Sequence, residues 1–186
     1  HSLKKQLLAE GVEFSSETDT EVAAKLVGRE YDRLGDLTEA MRAVVSRLEG
    51  AFTLLAVHAD SPGVVVGARR NSPLVVGLGD GANFLGSDVA AFIGYTRHAL
   101  ELGQDQIVTI TPDGYEVIAF DGTPADGKAY EVTWDAAAAE KGGYETFMEK
   151  EIYEQPQVLA DILTGRVMDG QVVLDELELD WLRQFS

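Results

Sequence analysis

The chain has 186 residues, with 32 acidic and 15 basic side chains and a formal net charge of -17. A charge of this sign repels nucleic acid and anionic membranes, so neither is expected as a partner. The chain contains no cysteine, which excludes a disulfide, a thiolate metal site and a cysteine nucleophile within these residues.

Apolar residues recur at helical spacing along the first 50 residues. The pattern predicts three helices, over residues 3–10, 18–34 and 36–49. In the first helix, Leu3, Leu7 and Leu8 are expected on one face. Thr18 and Glu21 have the spacing of a capping box. Alternating polar and apolar residues between the first two helices predict a short strand over residues 12–16.

Short apolar and β-branched runs, separated by turn residues, fill the middle of the chain. Four of them predict an antiparallel meander over residues 51–59, 64–69, 73–79 and 83–85. Two more predict a hairpin over residues 106–111 and 115–120. Ser87 and Asp88 are expected to cap a short helix between these groups. Strands grouped together with helices outside them predict an α+β fold rather than a doubly wound α/β fold.

The last third of the chain begins with turn-forming and small residues at positions 121–143, which predict a linker. The helix-period run after it contains Pro156 as an interior kink or break and closes at Gly165. The acidic tail over residues 172–185 predicts another short helix. We therefore expect two parts, residues 1–143 and 144–186.

Few stretches carry a local chemical motif. Residues 77–81 (GLGDG) lack the spacing of a dinucleotide-binding loop, and we interpret them as a hairpin turn. His1, His58 and His98 have no second ligand at helical spacing, so no metal site is predicted. Residues 69–73 (RRNSP) fit an anion site or a polar turn between strands, and the turn is favoured.

Asp19 lies at a predicted helix start, within the cluster Thr18-Asp19-Thr20-Glu21. An ionised carboxylate there can accept charge-assisted hydrogen bonds from an ammonium group. It can equally serve the helix alone, because a negative charge is favourable at the positive end of the helix dipole. The spacing by itself favours the second interpretation.

Several stretches, in order along the chain, resemble segments of the glutamine–fructose-6-phosphate aminotransferase family. They are SETDTEV at 16–22, LEGAF at 48–52, ARRNSPLV at 68–75, GLG at 77–79, NF at 83–84, SD at 87–88 and FMEKEIYEQP at 147–156. The last is the most specific, since it resembles the signature that joins the two domains in that family. LTGR at 163–166 resembles the start of the sugar isomerase domain.

The resemblance implies the four-layer αββα sandwich of the N-terminal-nucleophile hydrolases, with its N-terminal part missing from this chain. It implies a glutaminase domain of an enzyme that hydrolyses glutamine to glutamate and ammonia and makes glucosamine 6-phosphate from fructose 6-phosphate. Asp19 matches the family aspartate that binds the α-ammonium group of the substrate. No catalytic residue carries over, because the family's nucleophilic cysteine precedes the matched segment, so this chain alone is expected to be inactive.

The same resemblance implies glutamine and fructose 6-phosphate as substrates, no cofactor or metal, a homo-oligomer and a cytoplasmic location. Two alternatives stay open. One is a non-catalytic amino-acid-binding or interaction module with the same sandwich. The other is the glutaminase segment of another amidotransferase, such as amidophosphoribosyltransferase or asparagine synthetase. The signature over residues 150–156 favours the aminotransferase over the latter. Residues 153–156 fit either a helix surface or an interdomain contact.

Overall fold

The computed structural model describes residues 2–133, 143–164, 166–168 and 171–172. It divides the chain into two compact units, residues 1–136 and 137–186. The predictions for His1, for Gly165 and for a helix in the acidic tail beyond residue 172 lie outside the described residues. None of the helices in the described ranges has the length and apolar character needed to cross a membrane.

Three helices precede the strands of the first unit: α1 (Ser2–Ala9), α2 (Asp19–Leu34) and α3 (Leu37–Val45). Thr18 caps α2, and Gly35 ends it with φ 69°, a left-handed conformation that glycine adopts without steric cost. Asp36 caps α3, its carboxylate accepting from the backbone N–H of Glu39. All three predicted helices are therefore confirmed.

Two details of this region differ from the sequence prediction. Leu8 is 53% exposed whereas Leu7 is 1% exposed, so Leu8 does not share the buried face of α1. Residues 12–16 form no strand, because the backbone N–H groups of Ser15 and Ser16 donate to the carboxylate of Glu21 and not to a neighbouring strand.

Two four-stranded antiparallel sheets follow the helices. Their strands are β1 (Phe52–Ala56), β2 (Val65–Arg70), β3 (Val75–Leu78), β4 (Asn83–Gly86), β5 (His98–Glu101), β6 (Gln106–Thr111), β7 (Gly114–Ala119) and β8 (Lys128–Glu131). The first sheet has the order β1-β2-β6-β7 and the second β4-β3-β5-β8. The predicted hairpin of β6 and β7 is confirmed.

The predicted four-strand meander is wrong, because the chain changes sheet between β2 and β3. Ala68 of β2 pairs with Ile107 of β6, and Val76 of β3 pairs with Leu100 of β5. Leu74, between β2 and β3, is 1% exposed and belongs to the apolar cluster between the sheets. Strands β5 and β8 are not predicted from the sequence, and β8 lies within the stretch interpreted as a linker.

The first unit is layered as helices, sheet and sheet. Its two apolar cores lie on opposite faces of the first sheet, since successive side chains of a strand point to opposite sides. Ile107 packs with Leu26 and Met41 of the helices, whereas Val108 packs with Leu100 of the second sheet. Three layers of the predicted αββα sandwich therefore lie in the described part of this unit.

The second unit contains α4 (Phe147–Leu163), β9 (Val167–Met168) and β10 (Gln171–Val172), and the two short strands pair antiparallel. Thr146 caps α4 by accepting from the backbone N–H of Glu149. The helix continues through Pro156, so of the predicted kink or break, the break does not occur. A proline removes one backbone donor, and the remaining turns of this 17-residue helix stay formed.

Candidate substrate-binding loop

The segment Ser15–Glu21, here called the α2 loop, leads into the first turn of α2. Thr18 has an extended backbone, and its Oγ1 accepts from the backbone N–H of Glu21 at 3.2 Å. This bond satisfies one of the amide donors that a helix N-terminus leaves without an intrahelical partner. The predicted capping role of Thr18 is confirmed.

The carboxylate of Glu21 accepts four hydrogen bonds from two serines that precede the helix. Oε1 accepts from the backbone N–H and Oγ of Ser15 at 2.9 and 3.1 Å. Oε2 accepts from the backbone N–H and Oγ of Ser16 at 2.7 and 2.5 Å. The Ser15 backbone donor and the Ser16 side chain are the main causes that lower the pKa of Glu21 to about 2.

This arrangement departs from the predicted capping box. In that motif the acid at the third helical position reaches back to the N–H of the capping residue. Here Glu21 passes Thr18 and bonds the two serines instead. Sequence reasoning missed this role of Glu21, although the adjacent pair Ser15-Ser16, with four potential donors, is the signal that could have indicated it.

The Asp19 carboxylate has no such engagement. Asp19 is the first residue of α2 and is exposed. Within the described ranges, no residue forms a hydrogen bond or ion pair with its side chain. Its place in the first turn also puts its negative charge at the positive end of the helix dipole, where such a charge is favourable. The side chain can therefore accept hydrogen bonds from a cationic ligand.

A second helix anchors the start of the α2 loop. Lys4 of α1 donates from Nζ to the backbone oxygen of Ser16 at 3.0 Å. The same ammonium group lies 4.9 Å from the centre of the Phe14 ring, within the range of a cation–π contact. The loop is thus tied to α1 through its backbone and to α2 through Glu21.

The turn over residues 69–73 has the character of a structural turn. Arg69 donates to the backbone oxygen of Leu102 at 2.7 Å and to Gln104 at 3.2 Å. Gln104 also accepts from the backbone N–H of Asn71, whose φ is 52°. Because these donors already have partners inside the fold, the geometry favours the polar turn over the anion site.

Among the described residues, the other sequence candidates do not form a chemical site. Gly79 donates to the backbone oxygen of Ala82 at 3.1 Å, which closes the predicted hairpin turn between β3 and β4. His58 stacks on Tyr31 with ring centres 3.7 Å apart, and His98 lies in β5. In the part of the chain that the structure describes, no three His, Asp or Glu side chains converge as metal ligands.

A cavity of about 290 Å³ lies at one end of the sheets, lined in part by His58, Ser61, Asn83 and Thr111. Tyr31 of α2 lies beside this cavity, because the Tyr31 hydroxyl is 2.7 Å from Oγ of the lining residue Ser61. The distance from Tyr31 to the start of α2 therefore shows how far the cavity lies from the α2 loop. Twelve residues separate Tyr31 from the start of α2, which is about 18 Å at 1.5 Å per residue. The cavity therefore lies away from the α2 loop and is not part of the candidate substrate-binding loop.

Comparison with known proteins identifies the relatives of this chain. No protein-family model matches it. Glutamine–fructose-6-phosphate aminotransferase [isomerizing] from Leifsonia xyli subsp. xyli is 62% identical over 177 residues, and that from Streptomyces coelicolor is 61% identical over 178 residues. The Corynebacterium efficiens protein of the same name is 58% identical over 181 residues. Over this length, the chain is a homologue of the glutamine–fructose-6-phosphate aminotransferases.

The chain is shorter than these aminotransferases. The matches cover 95% of this chain with the first two relatives and 96% with the third, but 29% of each relative. The resemblance found in the sequence motifs thus extends over nearly the whole chain, and it corresponds to less than a third of the aminotransferase length.

A solved structure supports the fold of this aminotransferase homologue. Glutamine phosphoribosylpyrophosphate amidotransferase from B. subtilis, complexed with ADP and GMP, has a TM-score of 0.54 and 27% identity. The match covers 64% of this chain and 26% of that chain. The α+β class and the N-terminal-nucleophile hydrolase type are confirmed. Identities of 54–62% with aminotransferases against 27% with this neighbour favour the aminotransferase over the rival amidotransferase.

Proposed function

We propose that the chain is the glutaminase portion of a glutamine-dependent aminotransferase that makes glucosamine 6-phosphate from fructose 6-phosphate. The observation that carries the proposal is the identity with proteins named for this reaction along 95% of the chain. Glutamine and fructose 6-phosphate are the small molecules that those names give. The homo-oligomer and the cytoplasmic location stay predictions.

Within this function, Asp19 binds the α-ammonium group of glutamine. Its position in the SETDTEV motif supports this role, as does a carboxylate that is exposed and has no partner among the described residues. An ammonium donor adds charge-assisted hydrogen bonds to such an oxygen. The helix start is also a favourable place for the negative charge of this carboxylate.

The two parts of the chain take different roles in this proposal. Residues 1–143 belong to the glutaminase domain, and residues 144–186 form the interdomain connection and the start of the sugar isomerase domain. The division into compact units at residues 136 and 137 supports a boundary in this region. The 186 residues include no cysteine, so we propose that this chain by itself does not hydrolyse glutamine by cysteine chemistry.

A chimera tests the function directly. The 177-residue segment of the Leifsonia xyli relative that matches this chain is replaced by the corresponding residues of this chain. The chimera should release glutamate from glutamine and form glucosamine 6-phosphate, both followed by chromatography. A folded chimera that does neither, beside an active unmodified relative, would contradict the proposal. The isolated chain should release no glutamate in the same assay.

The role of Asp19 is tested in the same chimera. Asp19→Asn should raise the KM for glutamine by about tenfold or more, since it removes a charged hydrogen-bond acceptor. Asp32→Asn is the matched control, because Asp32 is an exposed aspartate in the same helix. Equal KM values for the two variants would disprove the assignment. An analogue of glutamine without the α-amine should inhibit the unmodified chimera and the Asp19→Asn variant equally.

A further inference from the structure

We propose that Glu21 is a positioning residue, which fixes the α2 loop so that the carboxylate of Asp19 is held ready for the ammonium group of glutamine. The inference rests on the proposed function and adds a residue that touches no substrate. Its basis is the set of hydrogen bonds that joins the start of the loop to the first turn of α2.

Glu21 closes the α2 loop on itself. Its two carboxylate oxygens accept four bonds of 2.5–3.1 Å from Ser15 and Ser16. Thr18, inside the closed segment, donates from its backbone to Ser16 Oγ at 3.4 Å and accepts from the backbone N–H of Glu21 at 3.2 Å. The backbone is therefore fixed on both sides of Asp19.

Asp19 depends on this scaffold because its side chain makes no hydrogen bond or ion pair with a described residue. It is exposed, and no described residue bonds to it. Among the described residues, the position of its carboxylate is therefore set by the backbone that carries it and by its rotamer. A binding group held in place by its neighbours loses less conformational entropy when the ligand arrives. Lys4 adds to this order by donating to the backbone oxygen of Ser16.

The carboxylates of Glu21 and Asp19 have different roles in this proposal. Four donors occupy the oxygens of Glu21, so Glu21 has little capacity left for an ammonium group. Asp19, two residues before it, has carboxylate oxygens that accept no hydrogen bond from any described residue. Loss of the Glu21 contacts should therefore weaken glutamine binding through disorder of the loop and leave the chemical step nearly unchanged.

The decisive experiment is a double-mutant cycle in the chimera described above. Glu21→Gln should raise the KM for glutamine about tenfold, as expected for the loss of hydrogen bonds to a charged group, with kcat within about twofold. In the Asp19→Asn background the same change should raise KM by less than about twofold, because the residue through which Glu21 acts is already gone.

Two further variants make the result specific. Glu39→Gln is the control, because Glu39 occupies the equivalent position in α3 but its carboxylate bonds Arg42 of its own helix. It should leave KM unchanged. Ser16→Ala removes one of the four donors and should raise KM in the same direction by a smaller factor. It decides the question if Glu21→Gln does not fold.

Several outcomes would overturn the inference. Glu21→Gln with an unchanged KM and a lowered Tm would show a purely structural role. An equal increase of KM in both backgrounds would show that Glu21 does not act through Asp19. These results differ from failure of the proposed function, in which the unmodified chimera does not use glutamine or Asp19→Asn leaves KM unchanged.

Discussion

Arg70 and Asp105 form a two-point hydrogen-bonded pair, with Nε to Oδ1 at 2.8 Å and Nη2 to Oδ2 at 3.2 Å. The pair joins the end of β2 to the turn before β6. Arg70 also donates to the backbone oxygen of Leu48 at 3.0 Å, and its guanidinium carbon lies 5.0 Å from the centre of the Phe120 ring. These contacts assign Arg70 to the structure of the fold rather than to an anion site.

Arg70→Lys should therefore destabilise the chain. A lysine carries one compact ammonium group and cannot reproduce the planar two-point contact with Asp105. We expect Tm to fall by about 3–6 °C, measured by circular dichroism. Arg33→Lys is the control, because the Arg33–Glu30 pair lies on the helix surface with the Arg33 side chain 65% exposed, where such pairs contribute little. A Tm loss of the same size in both variants would contradict this prediction.

Position 77 requires glycine, because any larger side chain would collide with the ring of Phe92. A Cβ on residue 77 would lie 2.5 Å from Phe92 Cδ2, and Phe92 is 1% exposed. Gly77→Ala should lower the free energy of unfolding by about 1–3 kcal/mol, as overpacking of a core does. Gly94→Ala is the control, since a Cβ there meets no atom within 4 Å. Adding Phe92→Leu to Gly77→Ala should cost less than the sum of the two single changes.

Gly28 offers a stabilising change. It lies inside α2, and a Cβ there meets no atom within 4 Å. Gly28→Ala should raise the free energy of unfolding by about 0.5–1 kcal/mol, because alanine loses less backbone entropy in a helix. Gly35→Ala should do the opposite, since Gly35 has φ 69°, which alanine adopts only with strain. Urea denaturation of both variants measures the two effects, and a Gly28→Ala variant less stable than the native chain would contradict the prediction.

The helices were predictable because their signals are local. Thr18 and Gly35 mark the two ends of α2 within 18 residues, and each acts through the backbone beside it. The division of the strands between two sheets was not predictable in this way. It depends on pairs such as Val65 with Ile110, which lie far apart in the sequence, and no local pattern specifies which distant strand becomes a neighbour.

The candidate site was predictable only in part. The sequence gives Asp19 a place at a helix start, and the resemblance gives it a ligand, whereas the spacing alone favours stabilisation of the helix through its dipole. The contacts of Glu21 with Ser15 and Ser16 were missed, because the capping-box pattern directs this acid to the N–H of Thr18. An acid at this position has several donors within reach, and the path of the preceding loop decides which of them it bonds.

The last prediction concerns the response of the Glu21 contacts to pH. Hydrogen bonds from Ser15 and Ser16 lower the pKa of Glu21 from 4.5 to about 2. The folded chain therefore binds fewer protons at this group than the unfolded chain between these values. The contribution of these contacts to stability is fully present above about pH 4.5 and is lost as pH falls through about 2.

An NMR titration of the Glu21 carboxyl carbon should accordingly give a midpoint near pH 2 in the native chain. Ser16→Ala removes the donor that lies 2.5 Å from Oε2, so it should raise the pKa of Glu21 towards its ordinary value. The difference in Tm between the native chain and Glu21→Gln should be largest above about pH 4.5 and shrink as pH falls towards 2. A native midpoint near the ordinary glutamate value, unaffected by Ser16→Ala, would show that the serines do not hold this carboxylate in solution.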